Sequence, residues 1–383
     1  MHLSVIDSLD KIPARDWNAL TDRDNPFVKY EFLSALEHSE STTAKTGWSP
    51  RHLVVHERAP LQGRLLGAAP MYLKTHSYGE YIFDWAWANA YARAGLKYYP
   101  KLVIAVPFTP VTGPRLLLAE QPDKKPIGDL LIHGAHAHAQ KTRASSVHWL
   151  FTNPADTESL EGQGLMRRVG YQFHWQNRGY RDFDDFLAGF SAQKRKKVKR
   201  ERRYVEEAEV KMEVLTGDAV QETHWNIFYE FYRSTLNKHG GIAYLTPAFF
   251  HELGANMAQN IVLILAHHRG QYVAGALNLR GSDTLYGRYW GSVEAFHSLH
   301  FETCYYRAIE YCIEQGLRRF EAGAQGAHKL SRGFLPSPIL SAHWLSRPEF
   351  NPAVADFLAR EQNGVEFYMN ELSEHSPFKR DSL

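Results

Sequence analysis

The chain has little cysteine, no long apolar run and almost no net charge, and each shortage narrows what it can be. Cys304 and Cys312 are its only cysteines. Eight positions apart, they would lie roughly 12 Å from one another along a helix, too far to bridge. That excludes a disulfide-stapled scaffold and predicts reduced thiols. The longest apolar stretches, LVIAVPF and IVLILA, fall far short of the roughly 20 residues that a membrane helix needs. The opening residues MHLSVIDSLDKIPARDWN hold no basic region followed by an apolar one, and the expected location is the cytoplasm. Forty-four Lys plus Arg against 42 Asp plus Glu leaves +2, so whole-chain charge calls for no polyanion. There is no HExxH and no paired CxxC. His133, His136 and His138 do not share one helix face, and no metal is expected.

What is present is size and a doubled pattern. With 383 residues, 44% of them hydrophobic, the chain can bury more than one core. A hairpin pattern runs from His52 to Leu73, with Gly67-Ala68 in its second arm. It returns from Ile261 to Leu279, with a turn at His268 to Gln271 and Gly275-Ala276 in the second arm. An aromatic helix candidate precedes each hairpin, at 25–39 and 223–239. A tyrosine-rich strand candidate follows each, YGEYIFDWAWA at 78–88 and TLYGRYWGSV at 284–293. A later helix and strand complete each copy: Ile127 to Lys141 then SSVHWLF, and Glu302 to Gln315 then RRFEAGAQG. Phe301, Cys304, Tyr305, Ala308, Ile309, Cys312 and Ile313 keep the spacing of one buried helical stripe. The pattern predicts an α+β fold of two similar domains, 1–180 and 181–345, with 346–383 as an appended extension containing a short helix at 353–361.

Four features carry chemistry. KRKKVKRERR, 194–203, holds eight basic residues and one acid, whereas the rest of the chain has 36 basic against 41 acidic. A helix there would present several cations outward to phosphates; the plainer reading is a solvated face. AGAQGAHKLSRGF, 322–334, places Gly326, His328, Lys329 and Arg332 at a strand end, where backbone N–H groups and cations suit a phosphate or an oxyanion. Glu321 just before it, and His174 near the domain boundary, are candidate proton acceptors. In YGRYWG, strict alternation would put Tyr286, Arg288 and Trp290 on one face, a stacking wall with Tyr289 beside it. Asp84 in FDWAWA is the matching polar residue of the first copy, and both strands would line one cleft. Cys304 with His300 is the wrong pairing for a nucleophile if Cys304 sits on the apolar stripe.

The order helix, hairpin, strand, helix, strand resembles the GCN5-related N-acetyltransferase (GNAT) fold, and two tandem copies resemble the Fem-type transferases, which add amino acids to peptidoglycan precursors. The strings FVKYEFLSALE, YYPKL, PFTPVTGPRLL, QFHWQNRGY, LYGRYWG, LHFETCYYRAIE and GAQGAHKLSRGF look like the FemAB-like family of N-acyltransferases labelled peptidoglycan biosynthesis or recognition, over roughly 25–380. The resemblance implies an acyl or aminoacyl transfer to an amine acceptor, a small molecule or a glycopeptide, from aminoacyl-tRNA or acyl-coenzyme A. It matches Ser191 with Arg195, and Lys329 with Phe334, to family segments that contact substrate phosphate or the reacting carbonyl. The acetyltransferase signature for coenzyme A is replaced here by GSVEAFHSLHFE. Ala327 stands where a glutamate often precedes the His-Lys pair.

The expected roles are therefore Lys329 with the backbone near Gly326 for oxyanion or phosphate, and Glu321 or His174 for proton removal. Arg195, Arg288, Tyr289, Trp290, His328, Arg332 and Asp84 are expected to contact substrate, with tRNA meeting the 194–203 helix. The second reading is a non-catalytic module that binds a glycopeptide or tRNA.

Overall fold

The computed structural model describes residues 1–379 apart from residues 23, 242 and 325 and the side chain of His239. Two units divide the chain, Met1–Gly170 with Pro338–Glu366, and Tyr171–Ser337 with Phe367 onward.

The first unit contains β1 (His2–Ile6), β2 (Trp48–Pro50), β3 (His52–His56), β4 (Leu65–Ala69), β5 (Met71–Lys74), β6 (Lys101–Ile104), β7 (Leu117–Leu118) and β8 (Ser146–Thr152). The expected hairpin is split between two sheets. Pro70 has no N–H to give a ladder, so the second arm breaks into β4 and β5, and Arg51 separates β2 from β3 opposite it. β1-β3-β4-β7 form one sheet, while β2, β5, β6 and β8 are neighbours in another, with β6 and β8 parallel.

The second unit contains the end of β9 (Met166–Gln176), then β10 (Lys211–Thr216), β11 (Ile261–His268), β12 (Gln271–Arg280), β13 (Thr284–Ser292) and β14 (Arg319–Glu321), in the order β10-β11-β12-β13-β14-β9. Here the hairpin is uninterrupted. β13 and β14 are parallel and their neighbours antiparallel, the arrangement of β6 and β8 repeated. The strand beside each parallel pair comes from the other half of the chain. β9 follows the first unit's elements but pairs with β14, and β15 (Leu335–Leu345) follows the second unit's elements but pairs with β8 through Leu340–Leu345.

That exchange corrects the expected boundaries. The division falls at 170/171 rather than 180, and residues 346–366 and 367–379 belong to different units rather than to one extension. The C-terminal helix is also longer, Asn351–Glu374, since Val354 and Leu358 enter one core and Leu372 another.

Glycine lets helices close on the sheets. A side chain on Gly291 would put its Cβ 1.8 Å from the Phe231 carbonyl oxygen, so the Glu222–His239 helix packs backbone to backbone there. At Gly67 a Cβ would meet Ile127 of the Lys125–Thr142 helix at 2.5 Å. Among the described residues no helix is long and apolar enough to cross a membrane.

The 78–88 strand is not formed. Trp85–Arg93 is a helix, because the Trp85 and Trp87 alternation conceals an i, i+4 pair: Trp87 and Tyr91 are buried with Tyr98, Leu345 and Val354. Asp84 lies just before that helix with its carboxylate enclosed. Ser77 donates to it at 2.6 Å, Tyr98 at 2.5 Å, and the buried Lys101 ammonium as well. The expected substrate role of Asp84 is corrected accordingly, since its oxygens serve the interior of the first unit.

Candidate functional site

β13 and β14 pair only as Thr284 with Arg319, Leu285 with Phe320 and Tyr286 with Glu321. β14 then ends while β13 continues, so the two parallel strands part. Helix hydroxyls replace the missing strand: Thr235 donates to the Trp290 carbonyl and Ser234 to the Ser292 carbonyl, each at 2.8 Å. On its other side β13 carries a bulge, since Leu277 faces Tyr289 but Asn278 faces Gly287, leaving Arg288 as the extra residue.

The bulge overturns the expected alternation. Tyr289 packs on Tyr232 (5.5 Å between ring centres) and Phe250 (6.2 Å), whereas Trp290 packs on His300 (5.2 Å). Trp290 therefore does not share a face with Tyr286, whereas Tyr289 does.

Where the strands part there is a cavity of about 230 Å³, wholly within the second unit. Its wall includes Asn278 from β12, Gly287 to Trp290 from β13, Ala322 to Ala324 after β14, and Lys329. The remaining wall is Ala276 and Leu277 of β12, and His300, Cys304 and Tyr305 from the helical segment Leu299–Glu314. That segment widens into a π turn at Glu302–Tyr306, which lets both Tyr305 and Tyr306 be buried in the core. The expected single stripe is shifted by this extra residue.

Lys329 is 2% exposed, and its ammonium donates to the Gly323 carbonyl at 2.8 Å. Burial pushes it down to about 7. No carboxylate among the described residues lies within ion-pair distance of it. Cys304 is half-buried, with its thiol pushed well up by desolvation, which speaks against a thiolate nucleophile. Burial holds His300 at about 4, so it is neutral near pH 7.

Several expected residues lie elsewhere. Glu321 and His174 face one another across β14 and β9 with 4.0 Å between their nearest polar atoms, but neither lines the cavity. Burial raises Glu321 to about 7 and lowers His174 to about 3. Their expected proton-transfer roles at the cavity are corrected, because Glu321 points off the strand one residue before the wall begins at Ala322. Gly326 is likewise outside the wall, and Gly323 is the glycine whose carbonyl meets Lys329. His328 sits behind Tyr305, whose hydroxyl is 3.0 Å from Nε2. Arg332 is buried, held by Glu201 and laid 3.4 Å over the Phe301 ring, so it is no substrate contact. Arg195 is on the Ala192–Glu207 helix and not in the wall.

In that helix the cations divide. Lys197, Lys199, Arg202 and Arg203 are ion-paired. Lys194, Arg195, Lys196 and Arg200 have no ion pair among the described residues. Glu201, the single acid of the run, is the residue that sequence reasoning passed over; its only signal was its singularity. Among the described residues no group of three or more His, Cys, Asp or Glu is placed to hold a metal ion.

Over residues 8–380 the chain matches a family described as peptidoglycan biosynthesis/recognition. No curated protein matches it. Among solved structures it is similar to FemX, at 13% identity and a TM-score of 0.54, covering 92% of this chain and 99% of that one. It is also similar to the L-PGS of Bacillus licheniformis, at 10% identity and 0.51, covering 88% and 98%. A third is the C-terminal domain of a putative lysylphosphatidylglycerol synthetase from Agrobacterium fabrum, at 10% and 0.51, covering 91% and 96%. These likenesses show the fold.

Proposed function

The chain belongs to the FemAB-like family, with the tandem GNAT-like α+β fold, and from that premise we propose that it is an acyl- or aminoacyl-transferase whose transfer site is the second-unit cavity. The observation that carries this reading is Lys329, whose amine has no carboxylate within ion-pair distance among the described residues and is buried in the wall of a cavity at the parting of two parallel strands.

The chemistry follows from the wall. An activated acyl group lies in the opening with its carbonyl toward Lys329. The acceptor enters as a neutral amine, because Arg288 and Lys329 oppose an ammonium there. Nitrogen bonds to the carbonyl carbon, Lys329 offsets the oxyanion, the bond to the donor breaks, and the amine proton leaves with the departing thiolate or alkoxide. Lys194, Arg195, Lys196 and Arg200 meet phosphates of the donor, and the acceptor belongs to peptidoglycan-precursor chemistry.

The test is mass spectrometry of amine-acceptor pools incubated with the full chain and either aminoacyl-tRNA or acyl-coenzyme A. An acceptor heavier by one acyl group supports the reading. Saturable binding of donor or acceptor with no product from either donor supports the non-catalytic module instead.

A further inference from the structure

We propose that the first unit docks on the surface of an anionic phospholipid bilayer through the segment that joins β5 to β6, residues 75–100. The surface is apart from the second-unit cavity and does not depend on the transfer reading. β5 and β6 pair antiparallel as β12 and β13 do, yet residues 281–283 suffice for the corresponding connection in the second unit. The longer segment carries Tyr78, Phe83 and Trp85, which are 53%, 41% and 39% exposed. Trp85 stacks on Phe83 with 5.9 Å between ring centres and meets Tyr78 edge-on at 5.4 Å, so the three rings form one outward patch.

The segment is anchored from within. Its two acids, Glu80 and Asp84, pair with the buried Lys101 beneath them. Arg168 donates to the Phe83 carbonyl at 2.9 Å and is itself paired with Glu361. Trp87 and Tyr91 hold the Trp85–Arg93 helix in a core with Tyr98, Leu345 and Val354. Anchors on both sides of Phe83 and Trp85 keep those rings from folding into the unit, and aromatic rings held in water this way mark a surface that something covers.

Charge decides what covers it. Glu80 and Asp84 are buried and spent on Lys101, whereas the other charged residues of the segment, Arg93 and Lys97, are exposed. Lys97 also lines a hollow with Arg143 and Arg347, where Glu349 is the one acid among the lining residues and lies 3.1 Å from Arg347. A segment that offers aromatic rings and cations while keeping its acids inside suits a bilayer interface, with rings at headgroup depth and cations among lipid phosphates. A neutral glycan would use the rings but not the cations.

The experiment is co-sedimentation of the full-length chain with vesicles of phosphatidylcholine alone and with vesicles of equal parts phosphatidylglycerol and phosphatidylcholine. Binding to the mixed vesicles is expected to be at least about tenfold tighter. It should weaken as salt rises from about 0.1 M to about 1 M. Phe83→Ser with Trp85→Ser is expected to lose at least about tenfold on the mixed vesicles with an unchanged circular dichroism spectrum, since both rings stand in water. Arg93→Glu with Lys97→Glu should cut the preference for phosphatidylglycerol at least about fivefold. Mixed-vesicle binding that persists at wild-type strength in the Phe83 and Trp85 variant belongs to the basic 192–207 helix and overturns the proposal. Equal binding to both vesicles, or binding to neither, overturns it as well. Dimerisation in sedimentation velocity that the same variant abolishes, with vesicle binding unchanged, assigns the patch to a second copy of the chain and likewise overturns it.

Discussion

Arg332 places one guanidinium nitrogen 2.9 Å from each carboxylate oxygen of Glu201, and its other terminal nitrogen donates to the His328 carbonyl at 2.7 Å. Tyr306 also donates to Glu201. The loop bearing Lys329 is thereby fastened to the 192–207 helix by the one acid in that helix's basic run. Removing one partner of a buried pair leaves the other charge uncompensated, so Glu201→Gln is expected to lower unfolding free energy by about 3 kcal/mol. Urea titration followed by circular dichroism measures it, and a loss below about 1 kcal/mol would show that the pair is not holding the loop.

Gly291 is the tightest helix-to-sheet approach in the second unit. Gly291→Ala must displace the backbone at Phe231, and an expected loss of about 3 kcal/mol or more follows from overpacking against main chain. Gly275→Ala meets the Leu265 side chain at 2.8 Å, which can move, so its loss should be smaller. Melting temperatures of the two variants give the order; the reverse order is the contrary result.

Glu321 gives a pH signature. Its carboxyl titrates near 4.5 in the unfolded chain and near 7 when folded, because burial disfavours the charge. Arg319, 3.2 Å away, pulls the other way but is 39% exposed and therefore screened. The folded state holds the proton more tightly, so this group's contribution is full below pH 4.5 and is lost as pH rises through 7. Glu321→Gln removes that loss. The stability of the variant relative to wild type should climb between pH 4.5 and 7, measured by unfolding at four pH values across the window. A flat difference would mean that Glu321 is not buried as described.

The cations of the 192–207 helix that have no ion pair among the described residues predict salt-sensitive contact with donor phosphates. Lys196→Glu with Arg200→Glu should weaken tRNA binding and flatten its dependence on salt, read by filter binding from 50 to 200 mM, roughly the range over which phosphate contacts lose most affinity. An unchanged slope would place any nucleic-acid contact elsewhere.

Much of the plan is legible in the sequence because it rests on local periodicity. The Ile261–Leu279 hairpin, the 223–239 helix and the TLYGRYWGSV strand form within a residue or two of expectation. Features set by strand pairing are not legible. The extra residue Arg288 depends on how β12 aligns, and the exchange of β9 and β15 depends on whether each strand pairs with β14 or with β8. Lys329 was visible as a cation at a strand end. The burial of Glu321 and His174 was not, since both occupy positions that read equally well as a site wall. Glu201 was hidden by the charges around it.

The central claim is that transfer takes place at Lys329 in the second-unit cavity. Once a donor and acceptor are in hand, the most direct measurement is the single-turnover transfer rate of Lys329→Met against wild type, with matching circular dichroism and melting curves. The expected result is a fall of at least about 100-fold, the scale of losing one oxyanion-stabilising group. A correctly folded variant that transfers within about twofold of the wild-type rate would contradict the account, since a change of well under 1 kcal/mol leaves Lys329 no part in the reaction.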